Sequence, residues 1–285
     1  MNPKNGSPTI GLTLGSGAAR GWAHIGILRA LADKGIHPEI VCGCSMGALV
    51  GGFYAALKLD DLEEASHSLS KMGMLRMMGR LIFRGGFFDN KGIMQWLQDV
   101  LGDVKIEELP VKFGAVSVDL STGMEIWMTS GDLVEAIMAS ISAPGMLMPF
   151  QKNGLLLGDG ALANPVPVSL CRALGGDIVI AVDLNAERVG RYFGPHWGLP
   201  KTNEANSLEE DEAKMPHLLE ILAVSSQIIQ TRLTRHRLAA DPPDILISPR
   251  VRNIRMLEFD KASVAIAEGR KAAERSMHAI EELLE

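Results

Sequence analysis

The apolar residues of this chain follow two alternating patterns: short uninterrupted runs, and longer segments in which they recur every three or four positions. The first run, residues 9–14, predicts a buried strand, and the helical pattern after it ends near Gly35. A second run, residues 40–42, is followed by a pattern that predicts a buried helix over 48–57. Two consecutive strand–loop–helix units are typical of a parallel sheet with helices on both faces.

The rest of the chain continues this alternation of strands and helices. The patterns predict further strands over residues 113–118, 124–128, 155–157, 177–182 and 244–247. They predict helices over residues 62–69, 91–101, 132–140, 218–238 and 261–284. Residues 185–214 are polar and acidic, so we expect a long, partly mobile surface loop there. The Pro/Gly segment 142–149 is either the lining of a substrate pocket or an ordinary turn.

Residues 71–84 differ from the rest in composition: they hold four methionines and four basic residues, with no acid. One interpretation is an irregular helix that packs on the core. The other is a lid or a lipid-contacting segment, because methionine adapts to varied apolar shapes and Lys/Arg favour anionic headgroups. In that case Gly85 and Gly86 are candidates for its hinge.

Composition limits the classes of function. A net charge of −6 over 285 residues argues against nucleic-acid binding. The three cysteines, Cys42, Cys44 and Cys171, are an odd number without a metal-ligand spacing, so we expect reduced core thiols. No run approaches the ~20 apolar residues that span a bilayer, and the first residues lack the apolar core of a signal peptide. We therefore expect a soluble, cytoplasmic protein whose membrane contact is at most peripheral.

The candidate nucleophile is Ser45, at the centre of the sequence Gly43-Cys-Ser-Met-Gly47. A serine between two glycines, after a strand and before a helix, is the pattern of a nucleophile elbow. The turn is so tight that side chains at Gly43 and Gly47 would collide with the neighbouring strand and helix. The serine also lies at a helix N-terminus, which favours developing negative charge. The motif by itself also occurs by chance or for structural reasons.

The glycine-rich segment 15–21, which follows the first strand, has two interpretations. A dinucleotide-binding turn would need G-x-G-x-x-G, but the spacing here is G-x-G-x-x-x-G, and no acidic residue follows the second strand to bind a ribose. An oxyanion hole would use the close backbone approach that glycines allow, with converging N–H groups. We favour the oxyanion hole because Ser45 lies on the adjacent unit.

The base that would activate Ser45 is the next question, because a serine hydroxyl is a weak nucleophile. The histidines that could complete a triad lack a supporting context; they are His196, His217, His236 and His278. His24 is expected to bond the backbone of the glycine loop instead. Asp159, between two glycines after a short strand, is either a turn residue or a carboxylate at the sheet edge that holds Ser45. A Ser–Asp pair would need a partly buried aspartate of raised proton affinity.

Three motifs together resemble the patatin-like phospholipase family, in particular its compact bacterial members. They are Gly15-Ser-Gly-Ala-Ala-Arg-Gly21, the Ser45 motif, and Asp159-Gly-Ala161; the Ser-Ala-Pro at 142–144 also resembles a family segment. The resemblance covers about residues 10–184. It implies a three-layer α/β/α fold with a mostly parallel sheet. We expect one domain over 1–285, with the catalytic motifs in 10–184, the mobile loop at 185–214, and C-terminal helices with a last strand at 215–285.

The resemblance also implies a serine acyl-ester hydrolase that degrades lipids. Ser45 would be the nucleophile and Asp159 the base, and Gly15, Gly17, Ala18 and Arg20 would mark the oxyanion loop. The expected partner is a lipid or acyl-ester substrate, and the scheme uses no cofactor and no metal. The alternative is a regulatory or lipid-binding protein on the same fold with little turnover.

Overall fold

The computed structural model describes residues 8–68, 81–82, 87–88, 90–186 and 218–285. Most of the proposed lid at 71–84, the Gly85–Gly86 hinge and nearly all of the expected loop at 185–214 therefore lie outside the described residues. Within the lid segment, Leu81–Ile82 is described and forms a strand that pairs with Phe87–Phe88. The first of the two interpretations of this segment, an irregular helix, is therefore wrong at Leu81–Ile82.

The core of the fold is an eight-stranded mixed sheet. Strands β3 (Leu81–Ile82) and β4 (Phe87–Phe88) form the separate pair described above. In chain order the strands of the main sheet are β1 (Ile10–Leu14), β2 (Ile40–Cys44), β5 (Lys112–Asp119), β6 (Glu125–Met128), β7 (Phe150–Lys152), β8 (Leu155–Asp159), β9 (Ile178–Val182) and β10 (Ile245–Ile247). Strands β10, β9, β1, β2 and β5 are parallel neighbours in that order. Strands β6, β7 and β8 are antiparallel additions at one end.

Helices cover both faces of the sheet. They are α1 (Ala23–Ala32), α2 (Met46–Ala55), α3 (Leu59–Ser68), α4 (Lys91–Leu101), α5 (Leu133–Ile141), α6 (Val168–Ala173), α7 (Leu218–Ala240) and α8 (Ala262–Leu284). None of those described is long and apolar enough to cross a membrane. The bounds of seven of them agree with the predicted helices to within a few residues, whereas α6 was not predicted.

Alternating residues of the central strands contribute to two separate apolar clusters. Ile180 and Val182 of β9 pack in the larger cluster, which contains residues of α1, α2, α5 and α8. Val179 and Ala181 of the same strand pack in a smaller cluster with Leu170 of α6. Because successive strand side chains point to opposite faces, these two clusters lie on the two sides of the sheet. The expected three-layer α/β/α architecture with a mostly parallel sheet is confirmed.

Strand β5 brings the two halves of the sheet together. On one side its Val116 is opposite Cys44 of β2, and on the other its Ser117 is opposite Ile126 of β6. Ser117 is also opposite Asp159 of β8. Since a strand residue has one neighbouring strand on each side, β8 lies on the β2 side of β5. Strand β8 therefore begins to pair with β5 where β2 stops, and the two strands meet end to end.

Candidate active site

Ser45 lies in a strained turn between β2 and α2. Its backbone has φ 56° and ψ −123°, and it is the residue before the first turn of α2. A Cβ on Gly43 would lie 2.3 Å from the carbonyl oxygen of Gly47, and a Cβ on Gly47 would lie 1.9 Å from that of Leu14. The turn can therefore form only because neither glycine has a side chain. Its strand–turn–helix geometry is that of a nucleophile elbow.

The backbone N–H of Ser45 is held by a side chain that the sequence analysis did not single out. It donates to the hydroxyl oxygen of Ser140, at 2.9 Å, and Ser140 donates in turn to the carbonyl oxygen of Val116 at 2.6 Å. Ser140 is fully buried near the C-terminal end of α5. A lone serine near the end of a predicted helix carries no local signal of this role, because the contact depends on how α5 packs over β2.

Asp159 ends β8 and faces Ser45 directly. Its Oδ2 accepts a hydrogen bond from Ser45 Oγ at 2.6 Å, and its Oδ1 accepts one from the N–H of Ala161 at 2.8 Å. The backbone N–H of Asp159 donates to the carbonyl oxygen of Ser142 at 2.9 Å, so the loop after α5 fixes this residue as well. The sequence placed the two side chains at one sheet edge; the structure joins them through strands that run in opposite directions.

The Asp159 carboxyl is 5% exposed, and burial raises its pKa to about 6. The hydrogen bonds from Ser45 and from the Ala161 N–H favour the ionised form and limit the rise. Ser45, by contrast, is partly exposed. The pair thus consists of an accessible hydroxyl and a sheltered carboxylate that is more basic than an ordinary aspartate.

The glycine loop lies beside the elbow: the carbonyl oxygen of Gly15 would be 2.9 Å from a Cβ on Gly47. Residues Ala18–Trp22 form a 3₁₀ turn, which leads into α1. The N–H of Gly15 donates to Val182 and that of Arg20 donates to Gly17, both to carbonyl oxygens. Across the described part of the chain, the N–H groups of Gly17 and Ala18 have no protein acceptor.

Ala18 is a second strained residue in this loop. Its φ is 48°, in the left-handed region that residues with a side chain rarely occupy, and it is partly exposed. Such conformations persist where the surrounding structure imposes them, and they are concentrated at functional sites. The strained backbones of Ala18 and Ser45 therefore belong to two adjacent turns at the same edge of the sheet.

His24 bonds the loop backbone, as expected. Its Nε2–H donates to the carbonyl oxygen of Gly15 at 2.8 Å, and burial lowers the pKa of the ring to about 4. Of the other candidate histidines, His278 lies on α8 near Glu282, His236 lies on α7, and His196 and His217 are outside the described residues. Among the hydrogen bonds described for this chain, that of the Ser45 hydroxyl is to Asp159.

The three cysteines are free and buried, which confirms the prediction of reduced core thiols. Within residues 8–68, 90–186 and 218–285, no group of three His, Cys, Asp or Glu side chains is placed to hold a metal ion. Chemically, the site presents a hydroxyl next to a base, at a helix N-terminus and beside a turn with free N–H groups. This is the geometry of the serine hydrolase class.

Comparison with known proteins gives the family. The model of the family "Patatin-like phospholipase" matches residues 12–172. An uncharacterized NTE family protein of Mycobacterium tuberculosis is 32% identical over 334 aligned residues, which cover 96% of this chain and 93% of that protein. The chain belongs to the patatin-like phospholipase family and is classed with the lipid acyl hydrolases.

Two eukaryotic relatives match a smaller part of the chain. Patatin-like phospholipase domain-containing protein 7 of mouse is 33% identical over 62% of this chain and 14% of its own length. Lysophospholipase NTE1 of Yarrowia lipolytica is 34% identical over 62% of this chain and 13% of its own. Among solved structures, VipD from Legionella pneumophila aligns with a TM-score of 0.47 at 11% identity, covering 96% of this chain and 67% of that one.

Proposed function

We propose that this protein hydrolyses acyl esters of lipids through a Ser45–Asp159 dyad and an acyl-enzyme intermediate. The observation that carries the proposal is the 2.6 Å hydrogen bond from Ser45 Oγ to Asp159 Oδ2, within a strained turn at a helix N-terminus. A hydroxyl that donates to a base at this distance is in position for proton transfer as it attacks.

In the acylation step, Asp159 Oδ2 takes the proton of Ser45 Oγ as that oxygen attacks the ester carbonyl. The tetrahedral intermediate collapses, the protonated Asp159 returns the proton to the departing alkoxide, and the acyl group stays on Ser45. A water then attacks the acyl-enzyme while Asp159 takes one of its protons; the second tetrahedral intermediate collapses, the carboxylic acid leaves, and Asp159 returns the proton to Ser45 Oγ. The pKa of about 6 suits both roles, since the carboxyl is mostly ionised at neutral pH and still accepts a proton readily.

The donors that would stabilise the oxyanion are the N–H groups of Gly17 and Ala18. The predicted set also contains Gly15 and Arg20. The backbone N–H groups of these two residues already donate to carbonyl oxygens of the protein, so both residues would shape the loop instead. The dipole of α2 would add to this stabilisation, because its N-terminus is at Ser45. Removing one oxyanion donor typically lowers kcat about a hundredfold to a thousandfold.

The lipid nature of the substrate rests on the family and on its named relatives, which include a lysophospholipase. The scheme routes no step through a metal or a cofactor. We further propose that the chain acts as one domain and meets lipid at a membrane surface rather than crossing it. Headgroup and chain length are left to a substrate screen.

The test is intact-mass spectrometry after treatment with a fluorophosphonate, which phosphonylates an activated serine with loss of fluoride. The wild type should gain one adduct, Ser45→Ala none, and Asp159→Asn one at a much lower rate. Asp119→Asn is the matched control, because Asp119 is also buried at a strand end but its oxygens accept from Ser121 and Thr122. It should react like the wild type.

A lipid screen on the reactive protein would then define the substrate. If the folded wild type gains no adduct and binds lipid without releasing fatty acid, the hydrolase proposal fails and the regulatory, lipid-binding alternative replaces it. If Ser45→Ala reacts as fast as the wild type, another residue is the nucleophile.

A further inference from the structure

Three consecutive carbonyl groups of the glycine loop each accept a hydrogen bond from a different buried side chain. His24 Nε2 donates to Gly15 at 2.8 Å, Asn185 Nδ2 to Ser16 at 3.3 Å, and Arg20 Nε to Gly17 at 3.2 Å. All three side chains are at most 2% exposed. A loop held through each successive carbonyl has little freedom to rotate its peptide planes.

The orientation of these carbonyls decides where the neighbouring N–H groups point. In a planar trans peptide, the C=O of one residue and the N–H of the next point in opposite directions. The Ser16 carbonyl faces Asn185, so the N–H of Gly17 points away from Asn185. The same argument directs the N–H of Ala18 away from Arg20. These are the two N–H groups that lack a protein acceptor within the described residues.

Asn185 differs from the other two because it reaches the loop from a distant part of the chain. It follows β9, and its own backbone N–H donates to Asp183 Oδ1 at 2.8 Å, which fixes its position. Asp183 is itself buried, and this burial raises its pKa, although the hydrogen bond from the Asn185 N–H and the charges of Arg20 and Arg235 favour the ionised form. The segment after β9 thus clamps the peptide that carries the Gly17 N–H.

We propose that Asn185 is a positioning residue for catalysis: by holding the Ser16 carbonyl, it aims the N–H of Gly17 at the oxyanion. This inference rests on the proposed hydrolase function and deepens it. The hydrogen bonds described for Asn185 are to Asp183 and Ser16 and not to Ser45, so we expect its loss to affect the transition state and not the binding of substrate. Because the donor would be misdirected rather than removed, kcat should fall about tenfold to a hundredfold.

The experiment compares Asn185→Ala and Asn185→Asp with the wild type on a soluble p-nitrophenyl ester. Asn185→Asp keeps the shape but replaces the donor with acceptor oxygens, so it tests the hydrogen bond without a cavity. Both variants should lower kcat by the stated factor and leave KM within about twofold of wild type. A trifluoromethyl ketone, which forms a tetrahedral oxyanion on the serine, should inhibit both more weakly by a similar factor. An uncleavable ether analogue should bind unchanged.

Asn164→Ala is the control for loss of a buried amide. Asn164 is 1% exposed, and its Nδ2 donates to Glu125 and Ser169 rather than to the glycine loop. The kcat of Asn164→Ala should remain within about threefold of wild type, although this variant should lose about as much thermal stability as the Asn185 variants. The inference is overturned if both Asn185 variants keep wild-type kcat, or if the ether analogue weakens in step with the ketone. An inert wild type would instead overturn the proposed function, and the inference with it.

Discussion

The hydroxyl of Ser140 accepts a hydrogen bond from the backbone N–H of Ser45 at 2.9 Å, and so restrains the turn that carries the proposed nucleophile. Ser45 has a positive φ, a conformation that costs on the order of 1–3 kcal/mol and persists only where neighbouring groups impose it. Ser140 provides such a restraint because its own hydrogen goes to the Val116 carbonyl, which leaves its lone pairs for Ser45. Ser140 thus links the elbow to β5 in addition to the direct pairing of β2 with β5.

Ser140→Ala should therefore both destabilise the protein and slow its reaction. Leaving the N–H of Ser45 without a partner costs about 1–3 kcal/mol, which urea unfolding would measure. Phosphonylation of Ser45 should slow because the strained turn loses its restraint. Ser66→Ala is the control: Ser66 is equally buried, but its hydroxyl donates only to the carbonyl of Glu63 within α3. Wild-type reactivity in Ser140→Ala would show that the glycines alone hold the elbow.

Gly47→Ala should be one of the most damaging small substitutions in the chain. The new Cβ would lie 1.9 Å from the carbonyl oxygen of Leu14, on a strand that is paired on both sides and cannot retreat. We expect a loss of about 3 kcal/mol or more in the free energy of unfolding. Gly51→Ala, in the same helix, meets a methyl group of Val41 at 2.9 Å and should cost less. Equal losses would contradict the assigned cause.

The rate of ester hydrolysis should report the raised pKa of Asp159. The proposed dyad needs an ionised carboxylate, so kcat/KM should be level above pH 7 and fall about tenfold per pH unit below a midpoint near pH 6. Circular dichroism at each pH would show that the fold persists. A midpoint near pH 4, the value of an ordinary aspartate, would mean that burial does not tune this group.

His24 should make the protein less stable as the pH falls. The pKa of His24 is about 4 in the folded chain and 6.5 in the unfolded chain. Between these two pH values the unfolded chain therefore binds a proton at this histidine and the folded chain does not. The stabilisation is complete above pH 6.5 and is lost as the pH falls towards 4, by about 3 kcal/mol at the limit. His24→Gln keeps an N–H for the Gly15 carbonyl but does not titrate. Its urea-unfolding curve should depend less on pH over this range, whereas parallel curves would refute the assignment.

The sequence predicts those parts of the site that depend on neighbouring residues. The elbow follows from Gly43 and Gly47, since a tight turn between a strand and a helix is a local event. The glycine loop and its bond to His24 are also local, since His24 lies within one turn of the helix that follows the loop.

The remaining features depend on packing between distant segments. Nothing near Ser140 or Asn185 in the sequence reveals that one touches the elbow and the other touches Ser16, 169 residues away. The antiparallel course of β8 is likewise not coded in its three leucines, which fit either direction. The helical interpretation of residues 71–84 fails at Leu81–Ile82 for a similar reason, because a short apolar run is compatible with both a helix and a strand.

Because β2 and β8 meet end to end along β5, the positions of Ser45 and Asp159 are both set by their register on that one strand. Cys44 and Asp159 are aligned by adjacent residues of β5, Val116 and Ser117, rather than by each other. A slip of one residue on either strand would turn its side chains to the opposite face and separate the pair. On the proposed mechanism, a chain in which this stretch of sheet has not paired in register lacks the Ser45–Asp159 contact and with it the esterase activity.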